Sequence, residues 1–535
     1  RDADAGAITK VSYAPSTRFY LEDKAAQKPW LTRLHFVVHV VERLEVEDAL
    51  SDTKLVQRYR YRHGAFDPEE REFRGFAFSE HWDAEELGLD PNGDAGNGDD
   101  PLLTRPAVHT KSWVHTGLWA ERGRLEPALA AEYHLEGSEA QTLLPDTQLP
   151  AGLSPREQID ACRALRGRPL RQEVYADDRP ADLAAGVPHV SDRPYVTSEI
   201  CYRLRRLRAA EGDKPPIFLV LPDQTLTHHS ERSEGDARVS HQLVLDTDPD
   251  YGTIKRSAQV AYGRHGADPV TEQGKLHVVI ETAEISHDDS APQTRYRVAV
   301  PVSTQTYALT GVTPAQDELF DPTALNQAFE SATPIAYEAA PSGSSAEKRL
   351  LESSCVRYYN DTLTGPLPEG QLGLMALPYE SYTLALTENQ RSTVYGGDVS
   401  ASDMSAAGYV QFSGDPNWWA PSGVATFDPA LFYQVTAATD PFGNTLTLTY
   451  DSVALAVTGS SDPLGNEQSL EIDYRTLTPS TATDENDNVT AVTTDALGRV
   501  TAVAEMGKLG SGEGDTLADP TVTFAYHMDQ QPALA

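Results

Sequence analysis

The motif Asp440-Pro441-Phe442-Gly443-Asn444 recurs 22 residues later as Asp462-Pro463-Leu464-Gly465-Asn466. Another step of 22 brings Asp484-Glu485-Asn486-Asp487-Asn488, a worn copy, and eleven more bring Asp495-Ala496-Leu497-Gly498-Arg499. A fixed period of this size implies stacked supersecondary units. Asp at the first position, Pro at the second and Gly at the fourth match a type I turn. Asp accepts a local backbone hydrogen bond and Pro presets φ. Gly then takes the left-handed conformation that closes a three-residue hairpin loop with a bulge.

Behind each turn the sequence alternates. Leu446, Leu448 and Tyr450 follow the first, and Leu470, Ile472 and Tyr474 follow the second, with Thr, Glu or Asp between most of them. Eleven residues therefore make one strand and one turn, and a seven-residue strand spans roughly 23 Å. Such hairpins laid edge to edge make a ribbon of antiparallel sheet with one apolar and one polar face.

Upstream, strand signals dominate. Tyr59 and Tyr61 alternate with Arg58, Arg60 and Arg62, and Phe76, Phe78 and Trp82 follow at even spacing. The stretch predicts a hairpin turning at His63–Asp67, with the arginines on a solvated, ion-paired outer face. Further strands are predicted at Ile217–Leu221, His241–Leu245, Lys275–Ile280, Arg295–Val300 and Ser381–Leu386. One helix is predicted over 155–166. Ser154 is a natural N-cap, Pro155 suits the first helical position and Glu157 completes a capping box. Ile159, Cys162 and Leu165 share a stripe, and Gly167 fits the exit. A second short helix is predicted at 323–330. The acidic, Gly-rich run Asp90–Asp100 lacks apolar anchors and is predicted to be a mobile loop.

Composition narrows the function classes. The 535 residues suffice for several domains, or for one large β-architecture. Arg1 in place of Met suggests a piece of something longer. Eighty acidic against 44 basic residues give a formal charge of −36. A surface this acidic repels nucleic acid and anionic membranes, and no run reaches the ~18 apolar residues of a membrane helix. The three cysteines, Cys162, Cys201 and Cys355, are too few and too scattered for a disulfide framework or zinc site, and are expected as buried free thiols.

Chemistry-bearing patterns are weak. Asp246-Thr247-Asp248-Pro249-Asp250-Tyr251-Gly252 resembles a calcium loop, but its twelfth position is Ser257, so an acidic hairpin turn is expected. His228 and His229 are adjacent, hence on opposite sides of a strand. Gly274-Lys275 lacks phosphate-loop spacing, and no G-x-S-x-G elbow occurs. Glu70, Glu72 and Glu80 could pair for glycoside cleavage, but carboxylates are too common here for that to weigh. No catalytic, cofactor-binding or metal-ligating residue is assigned.

The run Tyr59-Arg60-Tyr61-Arg62-His63-Gly64, followed by Glu70-Arg71-Glu72-Phe73-Arg74-Gly75-Phe76, resembles the central region of the B subunits of bacterial insecticidal toxin complexes (Tc toxins). So do Leu165-Arg166-Gly167-Arg168-Pro169-Leu170-Arg171, Gly365-Pro366-Leu367, Gly370-Gln371-Leu372-Gly373, Leu377–Tyr382 and Trp418–Gly423. The Asp-Pro-x-Gly-Asn units look like the opening of an Rhs/YD-repeat shell. The resemblance implies a mainly β fold: an antiparallel hairpin ribbon forming part of a hollow cocoon, with a few short helices. It also implies a place downstream of the family's β-propeller. The implied division is 1–150 and 151–265 for the two sides of the B-subunit middle region, 266–430 for a β-rich shell segment and 431–535 for the repeats.

By the same resemblance the implied function is structural. The chain would be a shell component that encloses a cytotoxic C-terminal effector and helps deliver it, without enzymatic activity. Its partners would be a C subunit, which completes the shell and carries the effector, and a pentameric A-subunit channel reached through a propeller not found in these residues. No cofactor, nucleic acid or direct membrane insertion is implied, and the location is secreted or cell-surface associated. The alternatives are a carbohydrate-binding or cell-surface Rhs/YD adhesin, and an enzyme within 90–265.

Overall fold

The computed structural model describes residues 7–48, 53–87, 106–119, 122–135, 143–180, 183–184, 187–233, 237–264, 271–291, 294–315 and 319–526. The loop expectation for Asp90–Asp100 lies outside them. The chain forms two antiparallel sheets in which strand order follows sequence order. The first has 16 strands, from Ala7–Pro15 to Trp418–Pro421, and the second has nine, from Val424–Asp428 to Val522–Thr523. Within each sheet every strand pairs with the next, except that Arg295–Thr310 passes over the short strand Thr333–Ile335 to pair with Glu347–Tyr358. The one parallel contact is the short strand Thr333–Ile335 against Glu347–Tyr358.

The expected strands are present and longer than the sequence suggested. Ile217–Leu221 lies in Ile217–His229, His241–Leu245 in Arg238–Thr247, and Arg295–Val300 in Arg295–Thr310. Lys275–Ile280 corresponds to a strand that starts later, His277–Ala291, and Ser381–Leu386 lies in Pro378–Leu386. Their polar ends carry no hydrophobic alternation to read, yet they pair because the neighbouring strand is already in register.

The hairpin turn near residue 65 is a correction. The strand runs on through Asp67 and pairs with Glu72–Leu87, so the turn falls at 68–71. His63 does take positive φ, +57°, but inside the strand, where it is fully buried. Asp67 sets the real turn by accepting from the Glu69 and Glu70 amides, and Arg71 supplies the left-handed residue at φ +55°.

The predicted helices form at Pro155–Ala164 and Pro322–Ser331. The first has the expected reciprocal cap between Ser154 and Glu157, and Gly167 follows at φ +73°. The helices Ser16–Ala25 and Arg122–Ala130 were not predicted. The first starts with no side-chain cap, and the second carries Pro127 internally, so neither shows a start or stop signal.

In the second sheet the turn chemistry is as expected. The Gly443 amide donates to Asp440 O at 3.0 Å, the Asp440 amide donates to Asn444 O at 2.9 Å, and Gly443 sits at φ +87°. Asp440 Oδ1 accepts from the Phe442 and Asn444 amides, and Oδ2 accepts from Asn444 Nδ2. The unit at Asp462 repeats every one of these bonds. In the worn copy Asp487 holds the glycine position at φ +64°.

The second sheet rests on the first at its start. The Tyr359 hydroxyl donates to Ala425 O at 2.9 Å, and the Phe442 ring lies so close to Gly408 that a Cβ there would be 3.3 Å from it.

Candidate functional site

The first sheet is organised by a difference between its faces. One row of directly opposed residues crosses nine strands: Phe78, Trp113, Arg171, Glu199, Leu226, His241, Val260, Val278 and Leu309. None is more than 6% exposed. Helices lie over them. Leu125 and Leu129 of Arg122–Ala130 pack on Phe78 and Trp113, and Leu165 packs on Tyr202 and Leu204. Leu325 and Phe329 of Pro322–Ser331 pack on Val260, Val278 and Leu309.

Shifting one residue along every strand gives the opposite face. There the row reads Ser79, Ser112, Gln172, Ser198, Thr227, Ser240, Ala261 and His277. Every one is half-buried or exposed, and none is Asp, Glu, Lys or Arg. A second row on the same face reads Ala283, Thr304, Ser354, Thr383 and Ala420.

The charged groups at the centre of the covered face are matched. Arg171 donates from Nε to Glu173 at 2.8 Å, from Nη1 to Glu199 at 2.5 Å and from Nη2 to His134 O at 2.8 Å, and its guanidinium lies 4.9 Å from the Tyr133 ring centre. Glu173 also accepts from the His134 amide and the Tyr175 hydroxyl, and Glu199 accepts from the Leu144 amide. Burial beside Glu173 pushes the Tyr175 hydroxyl well above its ordinary range. This cluster fastens residues 133–134 and 144 to the sheet, and Glu199, its carboxyl pushed up by burial, also lines a small cavity with Glu126, Tyr133 and Asp146. The sequence gives no sign of it, because alternating Arg171, Glu173 and Tyr175 has the pattern of any half-exposed strand.

His241 shows the same economy. His241 Nε2 donates to Gln224 Oε1 at 3.0 Å, so Nδ1 of the neutral ring accepts from the Tyr262 hydroxyl at 3.1 Å, while the Tyr262 oxygen accepts from the Phe320 amide at 3.0 Å. Burial holds this ring down at about 4, and does the same for His228.

The residues weighed as sharper signals do not converge. Glu70 pairs with Arg163, Glu72 with Arg74 and Arg166, and Glu80 with His109. Arg62 and Arg60 both meet Asp23, and Arg62 is only 12% exposed, so the solvated arginine face is corrected to a largely covered one that stays open at Arg58. Asp248 is a turn carboxylate accepting from the Asp250 and Tyr251 amides. The three cysteines are free and buried. Among the described residues no group of three or more His, Cys, Asp or Glu could hold a metal ion. No described helix is long and apolar enough to cross a membrane.

In the second sheet, Leu446 opposes Ala438, Leu448 opposes Ser460, and Leu470 opposes Ala482 on one face. Thr447, Thr449, Ser469 and Thr483 lie on the other. Sequence reading also missed part of the turn code. An Asp opens all seven hairpin turns from Asp428 to Asp495, with Asp451 and Asp473 at the end opposite Asp440, Asp462 and Asp484. The interval of eleven was the available signal.

Two family models match the chain. The insecticide toxin TcdB middle/N-terminal region matches residues 1–90, and the TcdB middle/C-terminal region matches residues 160–311. Solved structures share the fold. A crystal structure of TcdB2-TccC3-Cdc42 aligns over 94% of this chain with a TM-score of 0.73 and 24% identity, and one of TcdB2-TccC3 does so with 0.73 and 23%. The Photorhabdus luminescens Tc holotoxin pore aligns with 0.71 and 24%. The chain spans about a quarter of the length of these structures, 24%, 24% and 23% in turn. No curated protein sequence matches it. The TcdB-type fold is thus mainly antiparallel β, as expected from the repeats.

Proposed function

We propose that this chain is a wall segment of a toxin shell, which encloses a cytotoxic effector together with a C subunit and takes no catalytic part itself. One observation carries the reading: an unbroken meander of antiparallel strands runs through the segment that matches the TcdB middle region. A ribbon of this kind can curve and bury its strand edges against itself or a partner, and so escape edge-to-edge aggregation. An unfolded effector inside cannot meet other unfolded chains.

The C subunit is the direct partner in this proposal, because TcdB2 is seen with TccC3. A pentameric A-subunit channel is the further partner, and the complex is secreted. Residues 1–150 and 151–265 form the two sides of the B-subunit middle region, 266–430 a shell segment and 431–535 the Rhs/YD-like repeats.

Co-expression of the full B-type protein with its C-type partner tests this. The expected result is a stable complex in which the effector segment resists added protease until the complex is denatured. Free digestion of the effector in the native complex, or no complex at all, overturns the reading.

A further inference from the structure

We propose that the face of the long sheet bearing Ser79, Ser112, Gln172, Ser198, Thr227 and Ser240 borders the enclosed space and is matched to unfolded polypeptide. The inference rests on the shell reading above and specifies which surface meets the cargo.

The two faces differ in a way that decides their direction. The buried row carries three helices and their connecting segments, a layer about 10 Å thick for each helix diameter. Turned inward, that layer would occupy the volume the shell exists to keep open. The row across the opposite face is mostly Ser, Thr and Ala, with Gln172 and His277 the longer side chains. It also holds a shallow depression, lined by Thr225, Gln242, Ser257, Gln259, Val279 and Glu281.

Its chemistry suits a cargo of arbitrary sequence. An apolar lining would hold the hydrophobic stretches of an unfolded chain, since that contact removes apolar area from water. An acidic lining would grip basic segments and repel acidic ones. The protein has acidic residues in excess, 80 against 44 basic, yet the central row holds none. Hydroxyl and amide groups exchange hydrogen bonds with water or peptide with little net change in free energy. A chain beside them is neither captured nor excluded. Charge that does reach the depression is partly neutralised: Arg203 and Asp223 are paired at 2.5 Å.

Cysteine labelling in the complete B–C complex tests this, because Cys162, Cys201 and Cys355 are buried. Ser198→Cys reports the proposed inner face. Gln327→Cys, exposed on the helix Pro322–Ser331, reports the covered side. With a bulky polyethylene-glycol maleimide on native complex, Gln327→Cys is expected to be modified almost completely and Ser198→Cys by less than a tenth as much. After denaturation both should react fully. Equal modification of the two in a complex that still protects its effector from protease overturns the face assignment while leaving the shell reading intact. A complex whose effector is digested overturns the shell reading and this inference with it.

Discussion

Arg171 Nη1 lies 2.5 Å from Glu199 Oε1 across two neighbouring strands, and both side chains are almost completely buried. The guanidinium also holds Glu173, so one positive charge stands between two buried carboxylates. Removing it leaves both uncompensated, and losing one partner of a buried ionic cluster costs about 3–5 kcal/mol. Arg171→Ala should therefore destabilise by that amount, read as a shift in urea midpoint. Arg171→Ala combined with Glu173→Gln and Glu199→Gln should recover part of the loss. A single variant that unfolds like wild type would show that the cluster carries no net structural charge.

The buried histidines predict a dependence on pH. Burial lowers the His241 and His228 rings from 6.5 to about 4, so both stay neutral in the folded chain while the unfolded chain takes up protons below 6.5. Folded-state values below the unfolded ones mean stability that is complete above about pH 7 and lost as pH falls toward about 4, by up to about 3 kcal/mol per ring. His241→Gln can keep hydrogen bonds to Tyr262 and Gln224 without titrating. Its urea midpoint should fall less than that of wild type between pH 7 and pH 5. An identical fall in both proteins rules His241 out as a source.

At the turns, two substitutions should act in opposite directions. Gly465 sits at φ +83° with open space around its Cα, so Gly465→Val meets backbone strain and no clash. Left-handed conformation costs a β-branched residue about 1–2 kcal/mol, and the variant should lose that much. Asp487 holds the equivalent place at φ +64° in the worn copy. Asp487→Gly restores the residue the turn favours and should gain about 0.5–1 kcal/mol. Thermal unfolding of both variants checks the pair, and a stabilised Gly465→Val would refute the turn assignment.

These turns were legible because the chemistry is local: Asp440, Gly443 and Asn444 satisfy one another within five residues. The capped helix at Ser154 was legible for the same reason. What stayed hidden depends on distant partners. His63 looked like turn chemistry, but its Nδ1 accepts from the Leu31 amide, 32 residues away, and Glu132 meets its other nitrogen. Arg62 looked solvated until Asp23 and Glu132 were placed over it. The neutral face was invisible for a related reason. Ser112, Gln172 and Ser198 look like ordinary polar positions of separate strands, and only pairing in register makes them one surface.

That surface makes its own prediction at adjacent residues of one strand. Leu226 is fully buried between Glu199 and His241, whereas its neighbour Thr227 opposes Ser198 and Ser240 on the open face. Leu226→Ala opens a cavity that the flanking strands cannot close and should cost about 2–5 kcal/mol. Thr227→Ala removes a half-buried hydroxyl whose contact with Ser198 is long, 3.4 Å, and should stay within about 0.5 kcal/mol. Thr227→Leu should fold as well as wild type but add an apolar patch, detectable as increased binding of a hydrophobic dye to the isolated chain. If it destabilises as much as Leu226→Ala, Thr227 is packed in the free chain and the face is not bare. If it folds normally and the dye signal rises, the face is kept polar by composition and not by the demands of packing.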